Sequence, residues 1–462
     1  MAFKREAGLP LLDWTRGGQL EAAGVHIGDG MELVRTICER FPNRTAGSPG
    51  ERGQAEYLAD VFAEAGLQDV ALDPVPCIGT DFDHVELRYP DAGGAAIEAM
   101  PIVFSGSTAP GGCTAPLRYY DSEDLIDFRK DDLAGKILLV YGGFGEYKTT
   151  AYYQQAVAAG VAGVIVVRDR EYAICMAMPA SLAACGNLPV VGVSHTGGMD
   201  LVKSGATTAY LHVQTRTEDV TGYNVVGRLP ANRDLIDDQV LLVTAHLDGK
   251  PVKPSAADNG TGTAMAVEVM LALARAERRR EVWFAGYTAE EIGFGGTSHF
   301  PLDHPEVAER CVLQLYYDGH GTIVGRNKLE ITGDDGLAAF ITEVAADIGH
   351  AMETHRRLIG LDPVILCARG VPAIRVARSP QRTWHSDHDT VDDVGPQAMR
   401  GGIHLYAEAA YRLVNAPKLP FERWVSEADR EKAQERVDRW VPTTIEAARQ
   451  GLADLAAGQK QE

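Results

Sequence analysis

The sequence predicts an α/β protein built on a largely parallel sheet covered on both faces by helices, with a second, β-rich unit inserted into it. Three observations carry this. At 462 residues the chain exceeds one ordinary core, so two domains are expected. From residue 222 onward, strand-like runs alternate with helix-like ones, the pattern of parallel strands joined by crossover helices. Between about 75 and 215 the character changes to short strands and turns.

Taken in order, MELVRTICERF and GQAEYLADVFAEAG carry apolar residues at three- and four-residue spacing and read as helices within 30–66. PNRTAGSPG joins them as a Pro/Gly turn. HVELRY, KILLVYGG, AGVIVV and PVVGVS read as short strands of a compact insert, with one helix-like stretch, YYQQAVAAG. NVVGRLP, QVLLVTAH, VWFAGYT, VLQLYYD and VPAIRVA follow as strands, interleaved with the helices GTAMAVEVMLALARA and LAAFITEVAADIG. Residues 420–462 read as a charged helical tail docked by Trp424, Trp440 and a few Leu. The expected divisions are 1–74 and 218–416 for the main domain, 75–217 for the insert and 417–462 for the tail.

Composition narrows the function. Lys plus Arg number 44 against 64 for Asp plus Glu, a formal charge of −20. Such a body repels phosphate backbones and anionic lipids, so neither nucleic acid nor membrane is the expected partner. MAFKREAGLPLLDW lacks the apolar stretch of a signal peptide, and no run approaches a membrane span. Seven scattered cysteines without CxxC suit reduced thiols, and the expected home is the cytoplasm. GGFG and GFGG lack Rossmann spacing, and no GxSxG elbow is present, so nucleotide binding and serine hydrolysis are set aside.

The chemistry lies in LLVTAHLD, SAADNGTG, YTAEEIG, QLYYDG and WHSDHDT. Taken singly, an Asp or His beside Gly marks a loop; the set in this order points to metal. His246 and Asp318 close strands, Glu290 and Glu291 follow one, and His385 comes shortly after another. Functional groups of an open α/β sheet collect beyond its carboxyl ends. Asp258 precedes a Gly/Thr-rich helix start, where free N–H groups favour a carboxylate. Imidazole and carboxylate are ligands that zinc accepts. Asp258, Glu291 and Asp318 with a hydroxide balance two Zn²⁺, and His246 and His385 complete the shells. Of the adjacent pair Glu290 and Glu291, one binds metal and the other is free to take a proton from water. Asp248 and Asp389 stand two and four residues after the histidines, placed to hydrogen-bond an imidazole and fix its tautomer. His320 and Arg378 are candidate substrate contacts.

These segments resemble metallopeptidase family 28, the co-catalytic zinc exopeptidases that include leucyl-type aminopeptidases and glutamate carboxypeptidases. The resemblance implies a three-layer α/β/α fold with a mixed, mostly parallel sheet. It implies that His246 and Asp318 serve one zinc, that Glu291 and His385 serve the other, that Asp258 bridges them, and that Glu290 is the general base. It further implies a cis peptide at Asp258–Asn259. Arg44-Thr-Ala-Gly-Ser-Pro-Gly50 is similar to the family's helix-joining turn. LAGKILLV, AGVAGVIVV and PVVGVS resemble a protease-associated (PA) domain, which implies an insert that shapes access to the cleft. One segment departs: where relatives have Ser-Asp-His, this chain has Leu361-Asp362-Pro363. The departure leaves the metal set intact and gives no licence to carry over a relative's substrate preference.

The expected activity is a two-zinc amidohydrolase, an exopeptidase of aminopeptidase type on short peptides, with cobalt or manganese able to fill the same ligands. The alternatives are a non-peptide or N-acyl amide hydrolase, a carboxypeptidase, a single-zinc acyltransferase of glutaminyl-cyclase type, and a receptor-like homologue without catalysis. A homo-oligomer is left open.

Overall fold

The computed structural model describes residues 18–89, 94–142, 149–176, 180–350, 352–440 and 445–458. The reading of the N-terminal MAFKREAGLPLLDW falls outside them. Val240–His246 lies at the centre of the main sheet, flanked in parallel by Glu281–Tyr287 and Cys311–Tyr317. Ala373–Ser379 extends the sheet in parallel beyond Cys311–Tyr317. Arg326–Thr332 pairs antiparallel with Ala373–Ser379, and Thr208–Leu229 pairs antiparallel with Glu281–Tyr287. The sheet is therefore mixed and mostly parallel.

Strand alternation divides the core into two layers. Leu241, Val243 and Ala245 face one cluster with Phe62, Met265 and Ile403. Val240 and Leu242 face another with Phe300, Val307 and Leu366. Period-two strands buried on both faces require helices on both sides, which gives the three-layer arrangement. The 20-residue helix Pro396–Asn415 was not expected from the sequence. It seats on the sheet through Tyr406, whose hydroxyl donates to the Ile374 carbonyl at 2.7 Å.

Gln68–Tyr89 and Thr208–Leu229, each 22 residues long, pair antiparallel from the main sheet into the insert. The expected divisions at 75 and 217 fall inside these two strands, because one ladder, with register shifts at Gln68/Ala71 and Phe82/His84, runs through both units. The insert's own sheet is parallel through Cys113–Tyr120, Ile137–Tyr141, Gly163–Val167 and Val190–Val193.

The tail departs from its expected docking. Trp424 is 46% exposed, and the side chain of Trp440 lies outside the described residues. The anchors are smaller: Ala433 and Val437 of helix Glu427–Trp440 join Phe294, Ile359 and Val364 of the main domain. Ile445 and Ala448 of helix Ile445–Gly458 join Ala180 and Leu182 of the insert. The tail thus touches both units.

One buried cation ties the N-terminal helices to the loops above the sheet. Arg44 lies between Met31–Arg40 and Pro49–Glu64 and is almost wholly buried. Its guanidinium donates to the carbonyls of Phe41, Leu247, Pro254 and Ser255. Removing it strands several buried carbonyls, at ~1–3 kcal/mol each. Arg44→Leu is expected to lower the unfolding free energy by about 2–4 kcal/mol, measured by urea denaturation.

Candidate metal centre

The strand register assembles the site. Tyr287 stands opposite His246, and Tyr317 opposite Ala245, so the residues leaving all three strands emerge at one edge. His246 ends its strand, Asp318 directly follows the second, and Glu290 and Glu291 follow the third by a short turn. Asp258 and His385 arrive on loops. All five candidate ligands are buried.

Asp258 lies between two groups. Its Oδ1 is 3.2 Å from His246 Nε2, which is also 3.6 Å from Asp318 Oδ1. Its Oδ2 is 3.1 Å from His385 Nε2, which is 3.2 Å from Glu291 Oε2. Each trio offers ligand atoms within 4.8 Å of one another. His246 Nε2 and Glu291 Oε1 are buried without a hydrogen-bond partner. The Asp258–Asn259 peptide is cis, as the resemblance implied. A third trio, His84, Glu86 and His212, is half-buried on the insert strands, with its acid already paired to Arg88.

The electrostatics call for positive charge. Burial pushes the Asp258 carboxyl up, but the imidazoles of His246 and His385 beside it outweigh it and hold it well below the ordinary carboxylate range. Burial pushes His246 down, yet Asp248, Asp258 and Asp318 outweigh it and hold the imidazolium well above its ordinary value. Protons on the imidazoles and divalent cations would compete for the same seats. Clustered carboxylates with imidazoles and orphaned acceptors suit a pair of divalent cations.

Two further carboxylates hold the ligand loops through the backbone. Asp248 accepts from the N–H of Glu290 at 3.1 Å and of Glu291 at 3.2 Å, and its Oδ1 lies 3.6 Å from His246 Nδ1. Asp389 accepts from the N–H of Ala257 at 2.7 Å and of Asp258 at 3.1 Å. The imidazole contact expected of Asp389 is therefore corrected: both its oxygens are spent on the turn that carries Asp258, and His385 Nδ1 has no hydrogen-bond partner.

Glu290 is half-buried and lines a pocket of about 400 Å³ together with Asp258, Glu291, Asp318 and His385. Burial, with Glu291, Asp362 and Asp318 adding to it against His246, raises the Glu290 carboxyl well above its ordinary value. The expected substrate contacts His320 and Arg378 are not on this pocket. His320 is fully buried, its Nδ1 accepting from Gly321 N–H at 2.8 Å. Arg378 spends its guanidinium on the Thr322 and Ile323 carbonyls and on Asn327. At the departing segment, Leu361 lines the pocket, while Asp362 turns inward to Thr297 and is pushed up to about 7 by burial.

Sequence reasoning missed the cations of this pocket. Lys250 is buried, with Nζ 3.0 Å from Glu291 Oε2. Arg375 Nη2 donates to the Asp318 carbonyl at 3.0 Å, and its Nη1 to Glu330 at 3.1 Å. The available signals were a Lys two residues after Asp248 and an Arg inside the apolar run AIRVA. Trp384, stacked on His385 with centroids 3.6 Å apart, was missed as well.

The chain is similar to known proteins over both units. Residues 224–409 match the model of peptidase family M28, and residues 99–201 match the PA domain. The chain is 27% identical over 405 residues to an aminopeptidase of Bacillus subtilis, covering 84% of this chain and 85% of the relative. It is 26% identical over 309 residues to a Pseudomonas aeruginosa aminopeptidase, covering 61% of this chain but only 54% of that relative. Among solved structures, a peptidase M28 precursor from Shewanella amazonensis shares the fold with a TM-score of 0.72 at 20% identity, over 86% of this chain and 96% of that one. A zinc aminopeptidase from Bacillus subtilis does so at 0.66 and 22%, over 86% and 97%. Residues 224–409, which contain all five candidate ligands and Glu290, are thus similar to peptidase family M28, and residues 99–201 are similar to the PA domain.

Proposed function

We propose that this protein is a two-zinc aminopeptidase that removes the first residue of short peptides. The observation that carries the reading is Asp258, whose two carboxylate oxygens face opposite trios. His246, Asp258 and Asp318 would hold one cation, and Asp258, Glu291 and His385 the other. Such a pair, when bound, activates water and polarises the scissile carbonyl.

The chain's own groups do the rest. Glu290 reaches the pocket without belonging to either trio, which leaves its carboxylate free to take a proton from the attacking water. The same carboxyl then returns the proton to the departing amine as the peptide C–N bond breaks. Asp248 holds Glu290 and Glu291 by their backbone, and its own main-chain carbonyl lies 3.1 Å from His246 Nδ1, so base and ligand keep a fixed spacing. Asp389 does the same for the bridging acid. Relatives that bear the name aminopeptidase support a free-amine substrate, and the pocket's volume suits a small ligand. Seven thiols without a disulfide support a reducing compartment, and among the described residues no helix is long and apolar enough to cross a membrane.

A matched panel of aminoacyl anilides and their N-acetylated counterparts tests the polarity. Free-amine substrates are expected to be cleaved at least about a hundredfold faster; cleavage of the N-blocked set alone would overturn the aminopeptidase reading. Glu290→Gln is expected to cut kcat by about 10³-fold while bound metal stays near that of the parent. A variant that keeps its kcat would remove Glu290 from the role of base.

A further inference from the structure

The chain carries a formal charge of −20, yet the wall of its catalytic pocket is rich in cations. Arg170, Lys250, Arg375 and Arg436 all line it. Its acids are Asp258, Glu290, Glu291 and Asp318. On the reading proposed above, three of these are occupied as ligands by divalent cations, which leaves Glu290 as the pocket acid outside the metal set, while Arg375 is also paired with Glu330. Lys250 and Arg375 lie against the ligand acids Glu291 and Asp318. Arg170 and Arg436 stand apart from both trios.

These two arginines come from elements outside the matched peptidase segment. Arg170 follows the insert strand Gly163–Val167, is exposed, and has its guanidinium 5.3 Å from the Trp384 ring centroid. Arg436 belongs to the tail helix anchored by Ala433, and its guanidinium is 5.8 Å from the Phe294 ring centroid. Trp384 and Phe294 are themselves on the pocket wall. Insert and tail therefore each bring a guanidinium to a cavity whose floor is the metal centre.

The uncharged lining points the same way. Gln381 Nε2 and Arg375 Nε belong to pocket residues and are buried donors without an acceptor. Buried donors are ordinarily satisfied, so a complementary ligand brings acceptor oxygens. A neutral aliphatic peptide would cover the exposed Arg170 guanidinium without offering it an acceptor, whereas a carboxylate would pair with it bidentately.

We propose that the pocket selects substrates bearing a carboxylate in addition to the scissile amide, gripped by Arg170 and Arg436. This inference rests on the aminopeptidase reading for its reaction but not for its binding site. The carboxylate has two sources: the side chain of an N-terminal Asp or Glu, or the free C-terminus of a di- or tripeptide.

The test uses the zinc-loaded full chain with Arg170→Ala, Arg436→Gln and the double variant, each checked by thermal melting. Glutamyl against leucyl anilide examines the first source, and Leu-Gly against Leu-Gly amide the second. Calorimetric titration with glutarate against glutaramide reads binding without turnover. At least one carboxylate substrate is expected to exceed its neutral partner about tenfold or more in kcat/KM, mostly through KM. The double variant is expected to remove that ratio and to weaken glutarate about tenfold or more. Arg170→Ala, at an exposed position, is expected to lose part of both even if Arg436→Gln folds poorly. Equal use of charged and neutral substrates, or a ratio and glutarate affinity unchanged in the variants, would overturn the proposal while leaving the aminopeptidase reading in place. Loss of glutarate binding in a protein that cleaves no free-amine substrate would do the reverse.

Discussion

Three carboxylates and two imidazoles buried within a few ångströms of one another form the constraint on which the rest of this structure depends. Burying charge without a partner is costly, and two such carboxylates side by side more so. Asp258 concentrates the problem because each of its oxygens is shared with a different histidine. Bound divalent cations would resolve it: they would replace the protons that otherwise balance the cluster and turn mutual repulsion into coordination. The remaining architecture keeps these groups from relaxing apart.

Much of that work is done through the backbone. Asp248 and Asp389 accept pairs of consecutive N–H groups from the two turns that carry Glu291 and Asp258. Arg44 adds donors to the carbonyls of Leu247, Pro254 and Ser255, on the segment that leads from His246 to Asp258. Acceptors on the N–H groups and donors on the carbonyls leave the segment before Asp258 little freedom. A site that holds reacting groups to a fraction of an ångström needs such support from residues that never touch substrate.

The sequence made the scaffold and the chemical set legible for a physical reason. Strands buried on both faces and ending in His246 or Asp318 announce their own carboxyl edge, and parallel pairing brings those edges together whatever the exact register. The supporting contacts were less legible. Asp389 follows His385 by four residues, which suggests the ring, but the chain turns so that its carboxylate meets the Asp258 loop, 131 residues away in sequence. His320 and Arg378 adjoin the site in sequence but do not line its pocket. Conversely, Arg170 and Arg436 reach the pocket only because the insert and the tail dock there, and no local pattern encodes docking. Helix Pro396–Asn415 escaped notice although most of its residues are buried.

Division of labour follows from this layout. On the proposed reading, the segment matching the peptidase family supplies the ligands and the base, while residues of the insert and the tail line the same pocket. The central claim is that Asp258 lies between two cations. Diffraction from zinc-saturated crystals at the zinc absorption edge measures this most directly. The account predicts two anomalous peaks roughly 3.5–4 Å apart, one beside His246 and Asp318 and the other beside Glu291 and His385, with Asp258 reaching both. A single peak, or none at these residues in a crystal saturated with zinc, would contradict it.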